Sequence, residues 1–164
     1  SEIRQSHEDA DLFIAGDLNA RTKDFLDYIP NDDIDFVFGQ DTNYPADHFN
    51  IPRASKDSET YNTFGLSLIE LCCTFDIHFL NGRLFNDKNG EFTCFANNGA
   101  SIVDYIIAST TLFQQFTDFA VSNETFSSVH CPVTCTLSFK LDRNDAQYIN
   151  VQDEHLNQWT RMKW

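Results

Sequence analysis

The feature that most constrains this chain is the way its apolar residues are broken into short runs, and the run in residues 11–21, DLFIAGDLNAR, is the sharpest. Leu12 to Ala15 have the length and β-forming character of a buried strand. Gly16 ends the run where Asp17 and Asn19 begin, so the strand is expected to deliver polar side chains at its carboxyl end. If the extended backbone continues, Asp17 and Asn19 point to the same side. A carboxylate that only accepts hydrogen bonds would then stand beside an amide that both donates and accepts, a pairing suited to placing a water and a phosphoryl oxygen around a hard cation. The same residues also read as a simple turn, because Gly, Asp and Asn all favour turns.

A chain of 164 residues is long enough for one domain with a sizeable core, and sixteen Phe make that core aromatic. No apolar run approaches the roughly 20 residues of a spanning helix. The opening SEIRQSHEDADLF lacks a signal-peptide pattern, so a cytoplasmic or nuclear chain is expected rather than a secreted one. The five cysteines, at 72, 73, 94, 131 and 135, have no zinc spacing. Cys131 and Cys135, read as parts of one strand, would lie about 13 Å apart, too far for a disulfide. Reduced, buried thiols are expected.

The formal charge is −14, with 25 acidic against 11 basic residues, which opposes unaided grip on a polyanion. A cation-dependent site tolerates such acid locally because the ion supplies positive charge.

Residues 22–60 are rich in Asp, Asn and Pro, including NDDIDF (31–36), and predict a long irregular loop with an acidic face. At 62–75, NTFGLSLIELCCTF, the period becomes helical: Phe64, Leu68, Leu71 and Phe75 recur at helical spacing behind an N-cap at Asn62 or Thr63. A short strand is expected over 77–80, a turn at 87–90, and a hairpin of Phe92–Ala96 with Ile102–Ala108 through Asn97-Asn98-Gly99. Asp104 interrupts the second of those strands, and an ionised group there requires a partner. A helix over 111–116 and strands over 119–122 and 133–141 complete the pattern. Residues 142–164 read as a linker or tail after a domain spanning 1–141.

Six stretches in order, GDLNAR (16–21), RASKD (53–57), NTFGLSLIELC (62–72), NGR (81–83), FTC with SIVDYIIAS (92–109) and SVHCPV (128–133), resemble the endonuclease/exonuclease/phosphatase superfamily, most closely the C-terminal part of the endonuclease domain of non-LTR retrotransposons. An ordered series is far more specific than one short motif. The resemblance implies an α/β fold, a four-layered α/β sandwich present here in part, with its N-terminal portion missing. It also implies a Mg²⁺- or Mn²⁺-dependent phosphodiesterase that cleaves DNA in retrotransposition, and a reverse-transcriptase segment in a full-length relative. Position by position, Asp17 and Asn19 fall on the G-D-x-N pair, where the Asp activates water and contacts the metal and the Asn holds phosphate. Asp104 falls on the Asp that holds the catalytic His, and His130 on the His that faces the scissile phosphate.

Two departures accompany the resemblance. Val129 stands where the family has the Asp of Ser-Asp-His, so weak metal binding is expected, since valine offers no oxygen and Mg²⁺ is often held by one or two carboxylates. The chain also begins at the strand before Asp17, without the half that would carry a metal-binding Glu. The expectation is therefore an inactive fragment. The alternatives are an active member whose N-terminal half lies outside this sequence and a non-catalytic interaction module.

Overall fold

The computed structural model describes residues 10–30, 51–97, 99–123 and 128–138. The acidic stretch 31–36, most of the expected loop and the tail from 142 lie outside the described residues. So do the first nine residues.

Strand β1 (Phe13–Asp17) pairs antiparallel with β5 (Asp104–Ser109), and β5 pairs antiparallel with β2 (Ile77–Phe79). The central sheet thus has the order β1-β5-β2. Two further antiparallel pairs are formed by β3 (Cys94–Ala96) with β4 (Gly99–Ser101) and by β6 (Phe116–Val121) with β7 (Val133–Leu137). Helices α1 (Thr63–Phe75) and α2 (Thr110–Phe113) complete a mixed α/β arrangement made mostly of strands. Among the described residues no helix is long and apolar enough to cross a membrane, and the five cysteines are thiols rather than disulfides.

Strand β5 is apolar on both faces because both are covered. Tyr105 and Ile107 pack with Cys72 of α1, Ile77 and Phe79, while Ile106 and Ala108 pack with Phe113, Phe116, Phe119 and Val133. Alternation along a strand sends neighbouring side chains to opposite faces, so one strand holds the helix on one side and the β6-β7 pair on the other. Its terminal residue, Asp104, leaves this core at the sheet's end.

Helix α1 begins at the expected cap. The Asn62 carboxamide oxygen accepts from the Gly65 N–H at 2.8 Å, satisfying an otherwise orphaned donor. It also accepts from the Arg21 N–H at 3.0 Å, and its amide donates to the Asn19 carbonyl at 2.9 Å, which ties the helix start to the chain leaving β1. Only glycine fits at 65, since a Cβ there would lie 1.9 Å from the Arg21 carbonyl oxygen. The buried face runs through Gly65 and Cys72, with Leu68, Ile69 and Phe75 packed beside it. Phe64 and Leu71, counted with the apolar period, are 68% and 38% exposed, so the face is rotated from the expected one toward the close approach at Gly65.

Three strand expectations need correction. The hairpin partner of β3 is Gly99–Ser101 rather than Ile102–Ala108, because Ile102 and Val103 leave the ladder before β5 begins in a different sheet. Helix α2 stops at Phe113, and the next strand starts at Phe116 rather than Phe119, because Phe116 is drawn into the core with Phe113 and Phe119. Cys131 lies outside β7, in the segment before it.

The RASKD and NGR stretches serve the fold. Arg53 donates to Thr22 Oγ1 at 2.7 Å and to the carbonyls of Thr22, Lys23 and Phe25, and Arg21 Nε donates to Asp57 at 2.8 Å. Arg83 pairs with the fully buried Asp27 and donates to the Phe79 and Ile51 carbonyls. Burial by itself would raise the Asp27 pKa, but the Arg83 guanidinium, the Phe79 N–H and Arg53 together hold it below the ordinary carboxylate value. Gly82, at φ 75°, sits with its Cα against Ala54, where a Cβ would lie 1.9 Å from the carbonyl oxygen. Among the described residues no buried side-chain nitrogen or oxygen lacks a hydrogen-bond partner, as a unique core requires.

Candidate functional site

Asp17 ends β1 directly opposite Asp104, which begins β5. Residues opposed across an antiparallel pair present their side chains on the same face, so the ladder register alone brings two carboxylates together. The third member comes from the segment before β7. The Phe95 N–H donates to the Val129 carbonyl and the Cys131 N–H to the Thr93 carbonyl, both at 2.7 Å, and His130 is bridged to Cys94. The Ser128 hydroxyl accepts from the His130 N–H at 3.1 Å.

His130 Nδ1 donates to both oxygens of Asp104, at 3.0 and 3.2 Å. Its other nitrogen, Nε2, faces Asp17 Oδ2 at 4.0 Å and Cys94 Sγ at 3.9 Å. Asp104, sought on sequence grounds as a group needing a partner, finds it in His130. The hydrogen bond to Asp104 raises the His130 pKa above the ordinary imidazole value; partial burial opposes this, and the charges of Asp104 and Asp17 add to it. The charged form of the ring is thereby favoured, with Nε2 on the side of Asp17.

The group opens into a cleft of about 270 Å³, lined by Asp17, Asp104, Ser128 and His130 together with apolar Ala15, Ile106 and Val133. Ligand atoms of Asp17, Asp104 and His130 all lie within 4.8 Å of one another. The 4.0 Å between Asp17 Oδ2 and Nε2 leaves each group able to face a small polar ligand while the two remain in one pocket.

Asn19 does not follow. Its φ of 49° is left-handed, so the extended backbone stops before it, and its N–H donates to Asp17 Oδ1 at 2.9 Å. The stretch is therefore a strand end and a turn at once: Asp17 is still in the strand, whereas Asn19 closes an Asx turn that orients the Asp17 carboxylate. Asn19 is not among the residues lining the cleft.

The donor set fits a hard divalent cation only weakly. Asp104 is committed to the imidazole, Asp17 Oδ1 accepts from Asn19, and Asp17 Oδ2 remains. Val129 is 49% exposed and is not among the cleft-lining residues, so no oxygen comes from that position. A single carboxylate suffices for Mg²⁺ when water and a substrate phosphate complete its octahedron, at a cost in affinity.

Two residues that hold this geometry stand in the NGR and FTC stretches, yet their residue type assigns neither a role at the site. Thr93 and Asn81 are both buried and look like ordinary polar residues at strand ends; their importance lies in which backbone groups they reach. Ser128 and Cys94 stand in stretches that bear the resemblance, but nothing in residue type distinguishes them.

Compared with known proteins, the chain matches no family model, no curated protein and no solved structure.

Proposed function

We propose that this chain carries the site of a metal-dependent phosphodiesterase of the endonuclease/exonuclease/phosphatase type, acting on DNA as the retrotransposon resemblance implies, and that it is inactive by itself. On this reading the three sheets and their helices form part of a four-layered α/β sandwich. The single observation carrying it is that Asp17, Asp104 and His130, which lie on three separate motifs, converge on one cleft.

The roles follow from position. Asp104 holds the imidazole by Nδ1 and keeps it charged, so that Nε2 donates to a phosphoryl oxygen and stabilises the negative charge that builds there. Asp17, across the cleft, accepts a proton from an attacking water or orients it. Mg²⁺ or Mn²⁺, held at Asp17, would supply Lewis acidity toward the phosphoryl group. Val129 deprives the site of a second free carboxylate, and the net charge of −14 opposes DNA binding. Both support inactivity.

The test combines binding and turnover. Calorimetry with Mn²⁺ is expected to show weak binding that disappears in Asp17→Ala; no binding by the unmodified chain would overturn the metal assignment. Supercoiled plasmid with Mg²⁺ or Mn²⁺ is expected to remain un-nicked, and EDTA-sensitive nicking that is lost in His130→Ala would establish an active hydrolase instead.

A further inference from the structure

We infer that Thr93 is the positioning residue that sets the Asp104–His130 pair. Its side-chain oxygen accepts from two consecutive backbone donors, the Val103 and Asp104 N–H groups, each at 3.0 Å. Its own carbonyl accepts from the Cys131 N–H at 2.7 Å. One fully buried residue therefore grips the backbone of the carboxylate and that of the residue next to the imidazole. Its N–H, donating to the Ser101 carbonyl at 3.0 Å, anchors it to the β3-β4 pair.

The double acceptance also explains why the chain breaks between β4 and β5. The Val103 and Asp104 donors, turned to the Thr93 hydroxyl, are not spent on continuing the β3-β4 ladder, and the chain crosses to the central sheet with Asp104 as its first paired residue. On the other side, the Asn81 amide donates to the Asp104 carbonyl and its oxygen accepts from the Ile106 N–H, both at 3.1 Å. Asn81 fixes β5 along the sheet, whereas Thr93 couples β5 to the segment bearing His130. Among the described residues, Asp104, Asp17 and Cys94 place titratable side chains against the ring, and of these Asp104 is the one whose backbone N–H the Thr93 side chain accepts from.

The catalytic consequence rests on the phosphodiesterase reading: displacement of such a pair by about 1 Å is enough to cost on the order of 100-fold in rate. The geometric claim does not rest on it, and is tested without activity. In a ring-¹⁵N correlation spectrum of the metal-free chain near neutral pH, assigned by its loss in His130→Gln, His130 is expected to show a protonated, hydrogen-bonded Nδ1. Thr93→Ser, which keeps the oxygen, should retain that signature, and Thr93→Val, which keeps the shape, should lose it. A Thr93→Val chain with dispersed core resonances and an unchanged His130 ring would overturn the inference, even if its melting temperature fell. Should Thr93→Val fail to fold, Thr93→Ser decides: retention supports the inference and loss overturns it.

Discussion

Asp27 and Asp104 each meet a cationic partner, and the two pairs are built to opposite ends. The side chains of Asp27 and Arg83 are wholly buried: the Phe79 N–H donates to the carboxylate, and Arg83 donates to the Phe79 and Ile51 carbonyls. Asp104 and His130 sit at the mouth of a cleft, with side chains 16% and 37% exposed, and Nε2 remains turned toward Asp17. A pair sealed from water holds parts of the chain together, here 27, 51, 79 and 83. A pair left half open keeps one nitrogen for a ligand. The distinction is invisible in residue type and follows from where the surrounding hydrogen bonds go.

The comparison breaks most visibly at Arg83. Arg83→Met removes the guanidinium but leaves the Asp27 carboxylate buried, an uncompensated charge that costs about 3–5 kcal/mol. Domains of this size have only about 5–15 kcal/mol in total, so a denaturant melt should show a chain that is largely unfolded or close to it. A loss under about 1 kcal/mol would mean that the pair is not sealed.

Asp104→Asn sharpens the other side. The His130 pKa should fall toward the ordinary value of about 6.5, read from ring resonances across pH. The folded-state pKa of His130 is raised, so the stability it contributes is fully present below the ordinary imidazole value and lost as pH rises through the raised one. Asp27 is held low, so its contribution is present above the ordinary carboxylate value and lost as pH falls through its folded value. Asp104→Asn should therefore remove the alkaline loss and leave the acid loss intact; an unchanged His130 titration would contradict the pairing.

Val129→Asp is expected to act least. It adds a carboxylate near the cleft's rim, and Mn²⁺ affinity by calorimetry should rise by a factor of roughly ten or less, about 1.4 kcal/mol at most. A far larger gain would mean that position 129 reaches the ion directly.

Much of the molecule was legible in advance where the information is local. The Asn62 cap and the 62–75 helix, the opening strand that delivers Asp17 and the turn at 87–90 follow from side chains acting within a few residues of themselves; that the strand runs through Gly16 to Asp17 does not. Expectations failed where a distant group intervened: Thr93 took the Val103 and Asp104 donors from the hairpin, and Gly65 rotated the buried face of the helix toward Arg21. The extended backbone expected through Asn19 stops for a nearer reason, because the Asn19 N–H closes on Asp17 and the chain turns.

By itself the sequence determined the capped helix at 62–75, the opening strand after Asp11, the acidic charge, a side chain without oxygen at Val129 and the need of Asp104 for a partner. All are properties of one residue or of a short period. The resemblance had pointed Asp104 to His130; the tertiary structure brought the two within hydrogen-bond distance, turned Asp17 to the same ring, and gave Arg53, Arg83 and Asp57 to the fold. Residues 26 positions apart become neighbours through antiparallel register and backbone hydrogen bonds, and those depend on which donors and acceptors the assembled core leaves available.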